Sequence, residues 1–159
     1  MPGPHPRLRR TSAWPWLLAA ALALLTAAAT AAPPASLLAA AAAGDADAQA
    51  ELGGLYYRGA GVARDPAAAF GWLRRAAEQG AHAAQRGLAV LYYNGEGTPQ
   101  DLIEALKWAL IAARQGDVEA ASHRDYLRGR LAPFQVREAE RLATGWQPTP
   151  EAAPAPKRP

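Results

Sequence analysis

The sequence contains no cysteine and a single methionine. Without thiols there can be no disulfide, no thiolate zinc site, no cysteine nucleophile and no acylated amino-terminal cysteine. Serine and histidine are nearly as scarce: after residue 31 the serines are Ser36 and Ser122, and the histidines are His82 and His123. Ser122 and His123 are neighbours in sequence, which on a helix turns them to different sides, so they make no nucleophile and base pair. Neither histidine has a second ligand type at metal-site spacing, and Glu138 and Glu140 are offset by two residues and do not share a helical face. The expectation is therefore a protein that is not an enzyme, with no metal and no cofactor. An excess of positive charge is also missing from the body of the chain. Of the 17 Lys+Arg, Arg7, Arg9 and Arg10 precede the first apolar run, and the others balance the 14 Asp+Glu one for one. A nucleic-acid surface needs clustered basic charge, so that partner is not expected.

What the chain does have is alanine. Half of the 159 residues are hydrophobic, and that half is weighted towards alanine rather than large core residues. Alanine is the best helix former and lets neighbouring helices approach closely, so tightly packed helices are expected. Residues 1–32 have the three parts of an export signal: the basic start, an apolar stretch from Trp14 to Leu25, and small residues from Ala27 to Ala32. Ala29-Thr30-Ala31 sets the expected cleavage point, because cutting one residue later would place Pro33 beside the scissile bond. The alternative is an uncleaved membrane anchor, since no charge falls between Arg10 and Asp45. The residues after Arg9-Arg10 match a twin-arginine signal poorly. The expected location is the periplasm or the exterior, with membrane attachment only if this segment stays on.

Compared with itself, the sequence repeats at an offset of 36 residues. Leu52-Gly53-Gly54-Leu55-Tyr56-Tyr57-Arg58-Gly59-Ala60-Gly61 returns as Leu88-Ala89-Val90-Leu91-Tyr92-Tyr93-Asn94-Gly95-Glu96-Gly97. Asp65, Ala69, Trp72, Ala76, Ala77 and Gly80 return as Asp101, Ala105, Trp108, Ala112, Ala113 and Gly116. Each unit reads as a helix hairpin. Ala48, Leu52, Leu55 and Tyr56 form one face of a first-type helix, and Ala69, Trp72, Leu73 and Ala76 one face of a second-type helix. The Gly-x-Gly between them ends the first helix and Gly80 or Gly116 the second. Thr98, with Pro99 and Asp101 after it, looks like a capping hydroxyl at a helix start, while Asp65-Pro66 gives a comparable signal in the other unit. Trp72 and Trp108, at the same place in successive units, are expected in the core.

The flanks complete the array. Residues 36–44 align with a second-type helix, and Asp117 to about Gly129 with a third first-type helix. Phe134 to about Thr144 reads as a terminal capping helix with Val136, Ala139, Leu142 and Ala143 inward. Residues 147–159 are Pro- and Ala-rich and are expected to be a disordered tail. The domain assignment is thus a signal at 1–31, a solenoid at 36–146 and a tail at 147–159.

These residues resemble the Sel-1-like repeats, a subclass of the tetratricopeptide-like α-solenoids. The resemblance rests on Ala48-Gln49, Leu52-Gly53, Tyr56, Gly59, Gly61-Val62, Asp65, Ala69, Trp72, Ala76-Ala77, Gly80 and their second copies. It departs at Ala89, at Thr98 and in the degenerate third unit. The resemblance implies an all-α, short right-handed solenoid acting as an adaptor for a protein or peptide partner, often at the bacterial envelope. A penicillin-related activity known in cysteine-rich relatives is not implied, because their disulfide pattern is missing. An envelope enzyme accessory and a membrane-tethered structural module remain as alternatives.

Helical angles also suggest where a partner sits. With Ala48, Leu52, Leu55 and Tyr56 facing the core, one flank of the first helix carries Asp47, Glu51, Gly54 and Arg58. The repeat offset carries it to Ala83, Gly87, Val90 and Asn94, and then to Glu119, His123, Tyr126 and Arg130. Stacking is expected to align an inner row of Gly54, Val90 and Tyr126 beside a polar row of Arg58, Asn94 and Arg130, where an extended peptide could lie.

Overall fold

A computed structural model describes residues 32–150. Residues 1–31, where an export signal is expected, and residues 151–159, in the expected tail, lie outside the described residues. Helices α1 (Ala35–Ala42), α2 (Ala46–Arg58), α3 (Pro66–Glu78), α4 (His82–Asn94), α5 (Leu102–Arg114), α6 (Val118–Arg128) and α7 (Pro133–Gly145) follow one another, with no strand among the described residues. Each packs on its neighbour in sequence from α1 to α6, and α2, α4 and α6 also touch in succession, which makes the fold an α-solenoid. Among the described residues no helix is long and apolar enough to cross a membrane.

Aspartates start most of these helices. Asp45 and Asp117 accept from the backbone N–H groups of Ala48 and Ala120, at 2.8 and 2.9 Å. Asp65 accepts from Ala67 and Ala68, both at 3.0 Å, with Pro66 in the first turn. Asp101 accepts from Ile103 and Glu104 at 2.9 and 3.0 Å. The Thr98 expectation is thereby corrected: α5 begins after Asp101, and Thr98, Pro99 and Gln100 belong to the loop. A carboxylate that satisfies two orphan N–H groups outcompetes a hydroxyl three residues earlier. In the loop, Gly97 has φ +71 and a Cβ built there would lie 2.1 Å from the Pro66 carbonyl oxygen, so only glycine fits where one hairpin meets the next.

The core is built from small residues and a few leucines. Ala69, Ala76, Ala84, Ala105 and Ala112 are fully buried beside Leu52, Leu88, Leu91 and Leu106. Leu73 is the knob between α2 and α4: a Cβ on Gly53 would come within 2.6 Å of its Cγ, and one on Gly87 within 3.0 Å of its Cδ1. In the next unit the corresponding residues are Ala109, Ala89 and His123, so a smaller knob meets larger walls.

Two glutamines stitch successive hairpins. Gln49 Nε2 donates to the Ala41 carbonyl at 3.0 Å and its Oε1 accepts from Gln79 at 2.8 Å. Gln85 repeats this with Ala77 at 3.2 Å and Gln115 at 2.6 Å.

Trp108 is buried, with Lys107 above its ring and Trp146 edge-on at 5.9 Å. Trp72 departs from expectation: it is half-buried, packed with Leu52 and the leucines of α1 on one side and covered by the Arg75 guanidinium, 4.7 Å from the ring, on another. Leu55 and Tyr56 are likewise only half-buried.

The third unit ends the array. Where α4 buries Leu88 and Ala89 and half-buries Tyr92, α6 has Arg124, Asp125 and Arg128. Arg124 pairs with Asp125, its Nε 2.8 Å from Oδ1, and Arg128 with Glu140 of α7 at 2.6 Å. Helix α7 packs on α5, burying Ala139 and Ala143. The start of the tail is held rather than free: Thr149 N–H donates to the Glu78 carbonyl at 2.8 Å, and Pro148 lies over Gly80.

Candidate functional site

The exposed flanks of the first-type helices form a groove with two hollows. One, about 460 Å³, lies against α2 and α4 and reaches Glu119 and His123 of α6; it includes Asp47, Glu51, Gly54, Tyr57 and Arg58, with Leu73 among its lining. The other, about 330 Å³, lies against α4 and α6 and is lined by Ala89, Val90, Tyr93, Asn94, His123, Tyr126 and Leu127. Val90 and His123 border both, so the two are one continuous surface.

Seven of the eight residues singled out from helical angles line this groove: Asp47, Glu51, Gly54, Arg58, Val90, Asn94 and Tyr126. Arg130 lines neither hollow. Its Nη1 donates to the Tyr126 hydroxyl at 2.8 Å, with the guanidinium 5.5 Å from that ring, so it supports Tyr126 instead of presenting a free charge. The Arg58 guanidinium folds back over Gly54, its Nη1 3.0 Å from the place a Cβ would take. Among the described residues, Asp47 and Glu51 have no ion-pair or hydrogen-bond partner; both are exposed.

Several groove residues escaped the angular reading: Tyr57, Tyr93, Leu73 and Arg86. Tyr57 and Tyr93 are second members of the repeated Tyr-Tyr pairs, which is the signal that could have found them. Tyr93 meets Tyr126 edge-on, rings 5.8 Å apart and hydroxyls 2.9 Å apart. The hydrogen bond to Tyr126 pushes the Tyr93 phenol above its ordinary value. Tyr126 accepts from Arg130 and shares a hydrogen bond with Tyr93, and these bonds hold its phenol below the ordinary value.

Arg86 crosses the groove floor, bridging Asp117 at 3.2 Å and Glu119 at 3.0 Å, while His82 Nδ1 stands 3.6 Å from Asp117. Asp117 is buried, which pushes its carboxyl up, but the Ala120 N–H, Arg86 and His82 outweigh that and leave it below the usual value. Ser122 donates its hydroxyl to the Val118 carbonyl at 3.2 Å, back along its own helix, and so is not poised against His123. Among the described residues no group of three or more His, Asp or Glu side chains gathers as a metal site. The arrangement offers apolar walls, aromatic faces and charges at fixed places, which suits holding an extended chain.

Fold and groove together define an α-solenoid of the short helix-hairpin class. The Sel1 repeat model matches residues 46–80 and 82–117, which are α2 with α3 and α4 with α5, so each of these two hairpins is a Sel1 repeat. Among solved structures the chain is similar to c5321, a protective antigen present in uropathogenic Escherichia coli strains that displays an SLR fold. That match has 33% identity and a TM-score of 0.67, over 69% of this chain and 24% of the other. A Sel1 repeat protein from Oxalobacter formigenes matches at 35% identity and a TM-score of 0.56, over 57% of this chain and 26% of the other. The chain thus spans about a quarter of the length of either protein. A search of curated proteins finds no match.

Proposed function

We propose that this Sel1 repeat array is a scaffold in the bacterial envelope that binds an extended segment of a protein partner in the groove of α2, α4 and α6. Sel1 repeats are in general protein-interaction modules, and the observation that supports a groove here is the continuity of the two hollows through Val90 and His123. The stacked first-type helices repeat the same flank, so a chain lying across them meets equivalent positions in turn. The export signal read from residues 1–31 supports the location.

Capture from the envelope fraction of the host tests binding. Val90→Glu places a charge between the hollows and is expected to abolish recovery of the partner, whereas Arg137→Ala, on exposed α7 surface, should leave it unchanged. Equal recovery by both variants would overturn the groove assignment. Intact-mass analysis of the chain purified from its host tests export: loss of residues 1–31 is expected, and full-length chain in the membrane fraction would show an anchor instead.

A further inference from the structure

The charges of the groove are not evenly placed. At the start of α2, Asp47 and Glu51 stand one turn apart with no partner among the described residues, and Arg58 lies about 10 Å further along the helix, two turns away. The neighbouring cation, Arg86, is already engaged by both Asp117 and Glu119. This end of the groove therefore keeps an uncompensated negative charge. The opposite end is the hollow of Ala89, Val90, Tyr93, Tyr126 and Leu127, whose walls are mostly apolar and aromatic. Tyr126 is 50% exposed, a large ring open to a partner.

We infer that the groove is built for an extended peptide carrying a basic residue that meets Asp47 and Glu51 and, further along, a large apolar side chain that enters the Tyr93–Tyr126 hollow. This rests on the proposed groove binding and names the chemistry of its ligand. The spacing follows from helix geometry. Packed helices lie about 8–10 Å apart, so the hollow between α4 and α6 is about 15 Å across from α2. Along the axis, the level of Asp47 and Glu51 is set back from that of the hollow by about seven residues, or about 10 Å. The diagonal of about 18 Å corresponds to five or six residues of extended chain at about 3.3 Å each. Lysine or arginine fits the first position, because its long stem can follow the groove while its charge meets two carboxylates. Phenylalanine, leucine or tryptophan fits the second, where the tyrosine edges and Val90 enclose it.

Phage-displayed random decapeptides selected on the immobilised full chain test this. Enrichment of Lys or Arg five or six residues from Phe, Leu or Trp is expected. On an Asp47→Lys, Glu51→Lys variant the first preference should invert to Asp or Glu while the apolar one persists. In fluorescence anisotropy, replacing the basic residue of a selected peptide by Glu should weaken binding about tenfold, with the difference shrinking as salt is raised. Circular dichroism of the variant establishes that it is folded; should it not be, Asp47→Asn, Glu51→Gln is used, and loss of the basic preference is expected. Selected peptides with no charge preference, the same preference on both proteins, or no enrichment at all would overturn the inference. If Val90→Glu still abolishes capture of the envelope partner in that event, groove binding stands and only the ligand chemistry is wrong; if it does not, both fall.

Discussion

The side-chain amide of Gln85 donates to the backbone carbonyl of Ala77, across the turn that joins one hairpin to the next. Gln85 is completely buried, and its own oxygen accepts from Gln115 of the following turn. Gln85→Ala would remove both bonds and leave the space unfilled, while the Ala77 carbonyl keeps the Gly80 N–H and Gln115 is exposed to water. A loss of about 1–3 kcal/mol, two hydrogen bonds at about 1 kcal/mol each, is expected in urea denaturation. Gln85→Glu should be at least as damaging, because it removes the donor and buries a charge.

The two glycine types in the helices should respond in opposite directions. Gly53→Ala drives a methyl into Leu73 and is expected to cost about 1–3 kcal/mol as an overpacked core. Gly71, exposed on α3, has nothing within 4 Å of a built Cβ, so Gly71→Ala should gain about 0.5–1 kcal/mol from helix propensity. Thermal melts of the two variants beside the parent chain decide the matter.

Trp108→Ala should cost about 3–5 kcal/mol, as expected for a buried large aromatic, and half-buried Trp72→Ala distinctly less. The indole Nε1 of Trp108 is buried with no hydrogen-bond partner, so Trp108→Phe loses area but relieves that group and should be the mildest change at this site. Denaturation midpoints that rank the three otherwise would refute this.

The architecture was legible because packing repeats. Leucines, alanines, glycines and aspartates return at the 36-residue offset, and that pattern alone yields the hairpins and their order. What it hid are the places where a residue answers to a neighbour that does not repeat. Trp72 faces the short α1, whereas Trp108 is covered by Trp146, so identical positions acquire different burial. Thr98 had the right chemistry for a cap, but Asp101 was better placed. Helical angles brought seven of the eight chosen residues into the groove, since a helix face is local geometry. They could not bring Tyr93 to Tyr126, which are 33 residues apart and therefore out of step with the repeat.

The Tyr93–Tyr126 bond has a spectroscopic signature. Because the shared bond pushes the Tyr93 phenol up and the Tyr126 phenol down, Tyr93→Phe should raise the Tyr126 phenol back towards its ordinary value, and Tyr126→Phe should lower that of Tyr93. Ultraviolet titration of the variants follows both, and an unmoved remaining phenol would disprove the bond in solution.

Asp117 links stability to acid. Its carboxyl is held below the unfolded value, so it contributes stability above about pH 4, and that contribution disappears as pH falls through the folded value. At neutral pH, Asp117→Ala should cost about 1–2 kcal/mol, the usual loss for a helix cap. Below pH 4 the variant and parent curves should converge; a constant gap across the acid range would show that the carboxylate's charge contributes nothing.

The charged substitutions on α6 give the molecule a stop signal separable from its repeating part. Arg124, Asp125 and Arg128 refuse a further hairpin, while the segment from His82 to Asp117 presents to its successor the same kind of surface that it receives from its predecessor. Length is therefore a modular property: a duplicate of that segment spliced in ahead of Val118 would meet compatible partners on both sides. The groove would grow by one helix, leaving the terminating chemistry where it is.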